Sequence, residues 1–116
     1  MATRELQVTV RQRDAVAVID LSGDVDGSAE HTLDEAYREA TRTAVGSVVL
    51  NFEATEYINS TGIALIVGLL AQARKDHVAM GAFGLSAHYR EIFEITRLSD
   101  FMTISDNEAG AAGYDA

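Results

Sequence analysis

The chain is expected to fold as α/β, with a mixed but mostly parallel β-sheet and helices packed against it. Three observations carry this. Two strand-like segments stand side by side near the N-terminus, in alternating and then dense apolar residues. Beyond them, helix-like and strand-like segments alternate in the order ββαβαβα(β), the pattern of parallel strands joined by helical crossovers. No proline, charge block or internal repeat breaks the run, so residues 1–116 are expected to form a single domain.

The elements follow in turn. Leu6, Val8 and Val10 alternate with polar residues, as in a half-buried strand. The segment 15–23, AVAVIDLSG, is a second strand ended by Gly23 and paired with the first through a turn near Arg13 and Asp14. After the loop GDVDG, Ser28 is expected to cap a helix with Leu33, Ala36, Tyr37 and Ala40 on one face. Gly46 precedes 47–53, SVVLNFE, whose continuous apolar centre suits a strand covered on both faces. The second helix is expected over 61–76, starting after Ser60. The segment 78–85, VAMGAFGL, reads as a strand with glycines where a helix can approach closely. A helix over 87–98 carries Ile92, Phe93 and Ile95, and 101–105 is a last short strand. The small-residue tail, from about 107, is expected to be flexible or to add one helical turn.

Composition narrows the function. Apolar residues make up 47% of the chain, enough for a core without a metal or disulfide staple, and cysteine is absent. The net charge of −9, from 18 acidic and 9 basic residues, repels phosphate backbones, so no direct nucleic-acid partner is expected. The N-terminus MATRELQVTVRQRD has no signal-peptide apolar stretch, and the apolar run 63–71 is far shorter than the ~20 residues of a membrane span. The expectation is a soluble cytoplasmic protein with no membrane partner.

Catalytic and metal constellations find little support. His31, His77 and His88 lie on separate elements without ligand spacing. Asp24 and Asp26 could suggest a cation site or a carboxylate pair, but a shared ligand is not expected of them. Neither G-x-x-x-x-G-K-[ST], G-x-G-x-x-G nor G-x-S-x-G occurs. A receiver-type phospho-accepting aspartate lacks its acidic pair and its lysine. Arg90 and Arg97 are expected to pair with Glu94 at helical spacing. No cofactor and no catalysis of its own are expected.

The informative stretch is 57–68, YINSTGIALIVG. Ser60 stands where a helix cap belongs, and Asn59 is a turn former. The segment follows a buried strand, at the end where α/β sheets place their sites. Gly62 removes bulk beside the hydroxyls, and a phosphate there would meet free N–H groups at the positive end of a helix. With Ile63 centred on the core, Ile66, Val67 and Leu70 bury beside it, while Leu65 and Leu69 fall on the far side near Gln72. Two readings stay open there. Another element, such as the third helix, covers Leu65 and Leu69, or the two leucines and Gly68 form a patch for a partner.

The run VVLNFEATEYINSTGIALIVGLLAQARK resembles the signature of STAS domains, the anti-sigma factor antagonists of bacteria, in which D-S-[ST]-G-[LIV] opens the second helix. A second stretch, LSGDVD at 21–26, is similar to the family's L-x-G-[ED]-[LIV]-D. Asn59 and Asn51 depart from the pattern: Asn59 stands where most phosphorylatable members have aspartate, and Asn51 where the preceding strand usually offers one. The resemblance implies a STAS-like sheet and partner switching. An anti-sigma factor that is also a serine kinase would be captured, and a sigma factor freed. Phosphorylation of Ser60, with Thr61 the second candidate, would release the kinase, and a Ser/Thr phosphatase would reset the cycle. The contact would involve Gly23, Asp24, Asp26, Asn59, Ser60, Thr61, Gly62, Leu65 and Leu69. A STAS scaffold that is never phosphorylated and a small-ligand sensor are the alternatives, and pairing into a homodimer stays open.

Overall fold

The computed structural model describes residues 4–113. Five strands form one sheet in chain order, β1 (Gln7–Arg13), β2 (Val16–Ser22), β3 (Ser47–Ala54), β4 (Ala79–Phe83) and β5 (Thr103–Ser105). β1 and β2 are an antiparallel hairpin whose two-residue turn uses Asp14 at φ +54°. The pairs β2–β3, β3–β4 and β4–β5 are parallel, as expected of strands joined by helices. Those connections are α1 (Glu30–Ala40), α2 (Ser60–Lys75) and α3 (Ala87–Ile95).

The period-two pattern decides the layers. Ala17, Ile19 and Leu21 of β2, with Val48, Leu50 and Phe52 of β3, belong to the large core shared with α1, α2 and Phe93 of α3. The intervening Val16, Val18, Val49 and Phe83 point to the opposite face and meet Ala111 of a fourth helix, α4 (Glu108–Ala112). The tail expected to be flexible from about 107 is therefore a docked helix through Ala112. Small residues allow this: a Cβ on Gly81 would lie 2.2 Å from the carbonyl oxygen of Ala111, so α4 sits on the bare backbone of β4. β3 is covered on both faces, as its apolar run predicts.

Several local expectations are corrected. Ser28 does not cap α1. Asp26 caps a single 3₁₀ turn, Gly27–Ala29, by accepting from the Ser28 amide at 2.9 Å, and α1 continues from it. Leu69 is buried at 4% exposure and joins Leu33, Ala36 and Tyr37 in the core, because α1, and not α3, packs beside α2 there. Leu65 is half-buried against the same cluster. Val67, expected inside, is 45% exposed. The patch of Leu65 and Leu69 is thus a helix–helix contact. Tyr37 completes it, its hydroxyl donating to Asp76 at 2.8 Å across α1 and α2. Arg90 pairs with Asp106 and Arg97 with Asp100, leaving Glu94 out of both.

A polar network locks the α4 side of the sheet. Arg11 on β1 holds Asp20 on β2 through two hydrogen bonds, of 2.5 and 2.9 Å, and reaches Glu108 of α4 at 2.8 Å. Asn51 donates to Asp20 at 2.8 Å and accepts from the amide of Glu53 at 2.9 Å. The pairing of β2 with β3 shifts register between Asp20 and Ser22, and the Asn51 amide group bridges that irregularity. An aspartate at 51 could accept from Glu53 but would confront Asp20 with a second negative charge, so the neutral amide at 51 has a local structural reason.

The Arg11 hydrogen bonds, more than any other influence, hold the Asp20 carboxyl below the usual carboxylate range, against the opposing effect of burial. With a depressed folded value, the stabilisation is complete above the unfolded value of about 4 and is lost as pH falls through the folded one. Asp20→Asn should cost about 1 kcal/mol at neutral pH, a figure kept small by the partial exposure of the pair. The gap between the urea midpoints of the two proteins should close toward roughly pH 3. A gap unchanged over that range would refute the charge contribution.

Candidate partner-binding site

The turn that opens α2 is built by Asn59. Its backbone is extended, at φ −95° and ψ −178°, and its side-chain oxygen accepts from the Gly62 amide at 2.8 Å. Asn59 is therefore the cap and Ser60 the first helical residue, so the helix begins one position earlier than the sequence suggests. The carbonyl of Asn59 accepts from Ile63 at 2.9 Å, which starts the helical ladder. The backbone amides of Ser60 and Thr61 have no acceptor among the described residues, and both side chains are exposed. The Ser60 hydroxyl thus stands in water at the positive end of a 16-residue helix, beside two unpaired N–H donors.

The GDVDG loop is packed directly against this turn. Val25 donates to the carbonyl of Tyr57 at 2.9 Å and accepts from the amide of Asn59 at 3.2 Å, forming a parallel bridge between Val25 and Ile58. Gly62 rests on the Val25 peptide, and the position a Cβ would occupy is 2.0 Å from the Val25 carbonyl oxygen. Gly27 stands opposite the methyl of Thr61, 3.3 Å from the equivalent position. The two stretches of sequence singled out separately form one surface.

Each predicted residue has a distinct place on it. Ser60 and Thr61 are exposed, while Asn59 and Gly62 fix the turn. The Asp26 carboxylate is taken up by both the amide and the hydroxyl of Ser28, at 2.9 and 2.5 Å. Asp24 points elsewhere. Its amide donates to the Arg4 carbonyl at 2.8 Å and its carboxylate accepts from the Arg4 amide at 3.1 Å, so it binds the N-terminal segment. Gly23 serves the same crossing, with φ +115° and the backbone of Glu5 where a side chain would sit. Leu65 is half-buried behind the surface, and Leu69 is core.

Two contributors escape a reading of the sequence. Val25 looks like an ordinary apolar loop residue, yet its peptide is the seat of the turn. Tyr89 of α3 accepts from the Ile58 amide at 3.0 Å through its hydroxyl, which ties the segment before Asn59 to the third helix. The signal for Tyr89 lies in its spacing of four from buried Phe93, which puts both rings on the inner face of α3. His31, His77 and His88 are exposed and belong to separate parts of the fold.

Known proteins share this architecture. A family model described as STAS domain matches residues 7–111. The chain is 31% identical over 114 residues to an anti-sigma-B factor antagonist of Listeria monocytogenes, covering 96% of this chain and 98% of that protein. Its fold is similar to that of an anti-sigma factor antagonist from Mycobacterium paratuberculosis, with a TM-score of 0.78 over 92% of this chain and 91% of the other at 19% identity. It is also similar to SpoIIAA, a Bacillus cell fate determinant in its phosphorylated form, with a TM-score of 0.64 over 89% and 93% at 22% identity. With sequence and architecture agreeing from the first strand to the last helix, this chain belongs to the STAS domain family.

Proposed function

We propose that this protein is an anti-sigma factor antagonist that works by binding and is switched by phosphorylation of Ser60. Unphosphorylated, it captures an anti-sigma kinase on the surface made by Asp26, Gly27 and the Asn59–Gly62 turn, so that a sigma factor is released. The observation that carries this is the exposed Ser60 hydroxyl at the start of α2, beside two unpaired amides and against the GDVDG loop. In the switching step the Ser60 oxygen attacks the γ-phosphorus of ATP, the bond to ADP breaks, and the hydroxyl proton passes to a base of the kinase. The new phosphate is supported by the helix end, but its nearly two negative charges stand in the middle of the contact and beside Asp26. A Ser/Thr phosphatase restores the hydroxyl. The relatives' role as anti-sigma-B factor antagonists supports this reading, under which the protein works in the cytoplasm with its kinase and ATP.

Asn59 suits the same cycle. As a neutral cap it supplies the hydrogen bond an aspartate would supply, without placing a further negative charge beside the phosphate.

Incubation with an anti-sigma kinase encoded beside it and ATP, followed by intact mass measurement, tests the proposal. One phosphate should be gained, lost in Ser60→Ala and retained in Thr61→Ala. Ser60→Glu should fold normally and bind the kinase at least about tenfold more weakly, or 1.4 kcal/mol. A stable complex with no gain of mass would assign the chain as a scaffold and overturn the switch.

A further inference from the structure

The solvent-facing stripe of α2 continues beyond Ser60 to a second feature. Val67 lies seven residues on, at nearly the same angle around the helix and roughly 10 Å along it. Among the described residues, four large apolar side chains are well exposed, and two of them, Val67 and Phe101, line one groove of about 330 Å³. Its floor is Leu70 from α2 and Leu98 from the 3₁₀ turn after α3, each 5% exposed. The groove is therefore an open trough lined mostly by hydrocarbon, an arrangement that a solvated surface does not favour.

The charge of the groove runs against that of the chain. The chain carries −9, yet no residue lining the groove is acidic, and its only charged groups are Arg74 and Arg97. The Arg74 guanidinium lies 5.0 Å from the centre of the Phe101 ring and makes no ion pair among the described residues. Arg97 is held by Asp100 through Nε at 2.7 Å, while its terminal nitrogens make no hydrogen bond among the described residues. Two guanidinium groups with unused donors thus flank an apolar floor, a pattern suited to hydrophobic anchors followed by carboxylates. A second copy fits poorly. A two-fold dimer through this groove would set each arginine pair against the other copy's pair, like charge on like charge.

We propose that the groove between α2 and the α3–β5 connection docks an acid-flanked amphipathic helix of a partner protein. Its apolar face covers Val67, Leu98 and Phe101, and its carboxylates take hydrogen bonds from Arg74 and Arg97. This site is separate from the Ser60 turn and does not depend on phosphorylation there.

The probe is a pair of synthetic helical peptides with leucine at i, i+3, i+4 and i+7, one filled in with glutamate and the other with lysine. Each is titrated into the isotope-labelled full chain and followed by amide chemical shifts. The glutamate peptide should move the amides of α2 from Val67 onward and of residues 96–101, and bind at least about tenfold more tightly than the lysine peptide. Added salt should narrow that difference. Arg74→Glu and Arg97→Glu, both at exposed positions, should melt within a few degrees of wild type, Arg97→Glu the lower for losing its pair with Asp100, and reverse the preference. Phe101→Ala should weaken both peptides. The proposal is overturned if the peptides bind equally, if the shifts fall elsewhere, or if millimolar glutamate peptide moves nothing. It is also overturned if the groove amides shift with protein concentration alone, since a second copy would then be the occupant.

Discussion

Gly62→Ala should destabilise the protein by about 2–3 kcal/mol, lower its melting temperature by roughly 10 °C and abolish partner binding through the Ser60 surface. The added carbon would stand 2.0 Å from the Val25 carbonyl oxygen and 2.7 Å from its carbon, whereas a carbon meets a carbonyl oxygen comfortably at roughly 3.3 Å. Both obstacles are backbone, so neither can rotate away. Relief requires α2 to lift from the loop, which breaks the hydrogen bond from Asn59 to Val25 at 3.2 Å. Alanine is the better helix former by about 1 kcal/mol, and the overlap must exceed that gain for the sign to hold. Gly68→Ala is the control. It lies in the same helix with open space around it, so only the propensity gain remains and the variant should be more stable. Thermal melts of both proteins settle the matter, and a Gly62→Ala protein as stable as Gly68→Ala would refute the close approach.

Phe93→Ala should cost more, about 3–5 kcal/mol. Phe93 is fully buried and meets Phe52 of β3 edge to face, with ring centres 6.0 Å apart. It is also the one residue of α3 that is buried outright, and a nine-residue helix has little stability of its own. The loss would be a large share of the roughly 5–15 kcal/mol that holds an ordinary domain together. Its effect should extend to the Ser60 turn, because Tyr89 reaches the Ile58 amide from one helical turn before Phe93. Urea unfolding measures the cost, and hydrogen exchange at Ile58 reports the slackening of the turn. Exchange at Ile58 unchanged from wild type would show that α3 does not support the site.

Much of this was legible because periodicity reports which face of an element is buried. The alternation in β1, the dense apolar runs of β2 and β3, and the helix–strand order all correspond to observed elements. What periodicity does not report is which neighbour does the burying. Centring α2 on Ile63 placed Val67 inside and Leu69 outside. The structure reverses them, because α1 leans on the Leu69 side while α3 stands off and leaves the groove beside Val67. α4 was hard to foresee for a related reason. A segment as short as Glu108–Ala112 has no persistent pattern, and it is held by its docking on Gly81 and by Arg11. The cap was misplaced by one residue because Asn59 and Ser60 are both good caps, and the bridge between Val25 and Ile58 selects the former. The candidate surface itself was visible as two motifs, but their contact depends on Val25, whose side chain gives no hint of what its peptide does.

That contact bears on the rates of association. Residues on each side of the bridge between Val25 and Ile58 take their shape when the chain folds, and Gly62 keeps them from drifting apart. A protein closing over this surface meets loops that are already ordered, so little conformational entropy remains to be lost on binding. A change of charge at Ser60 would then leave the encounter nearly as frequent as before. It would be read out chiefly in how long the two proteins stay together.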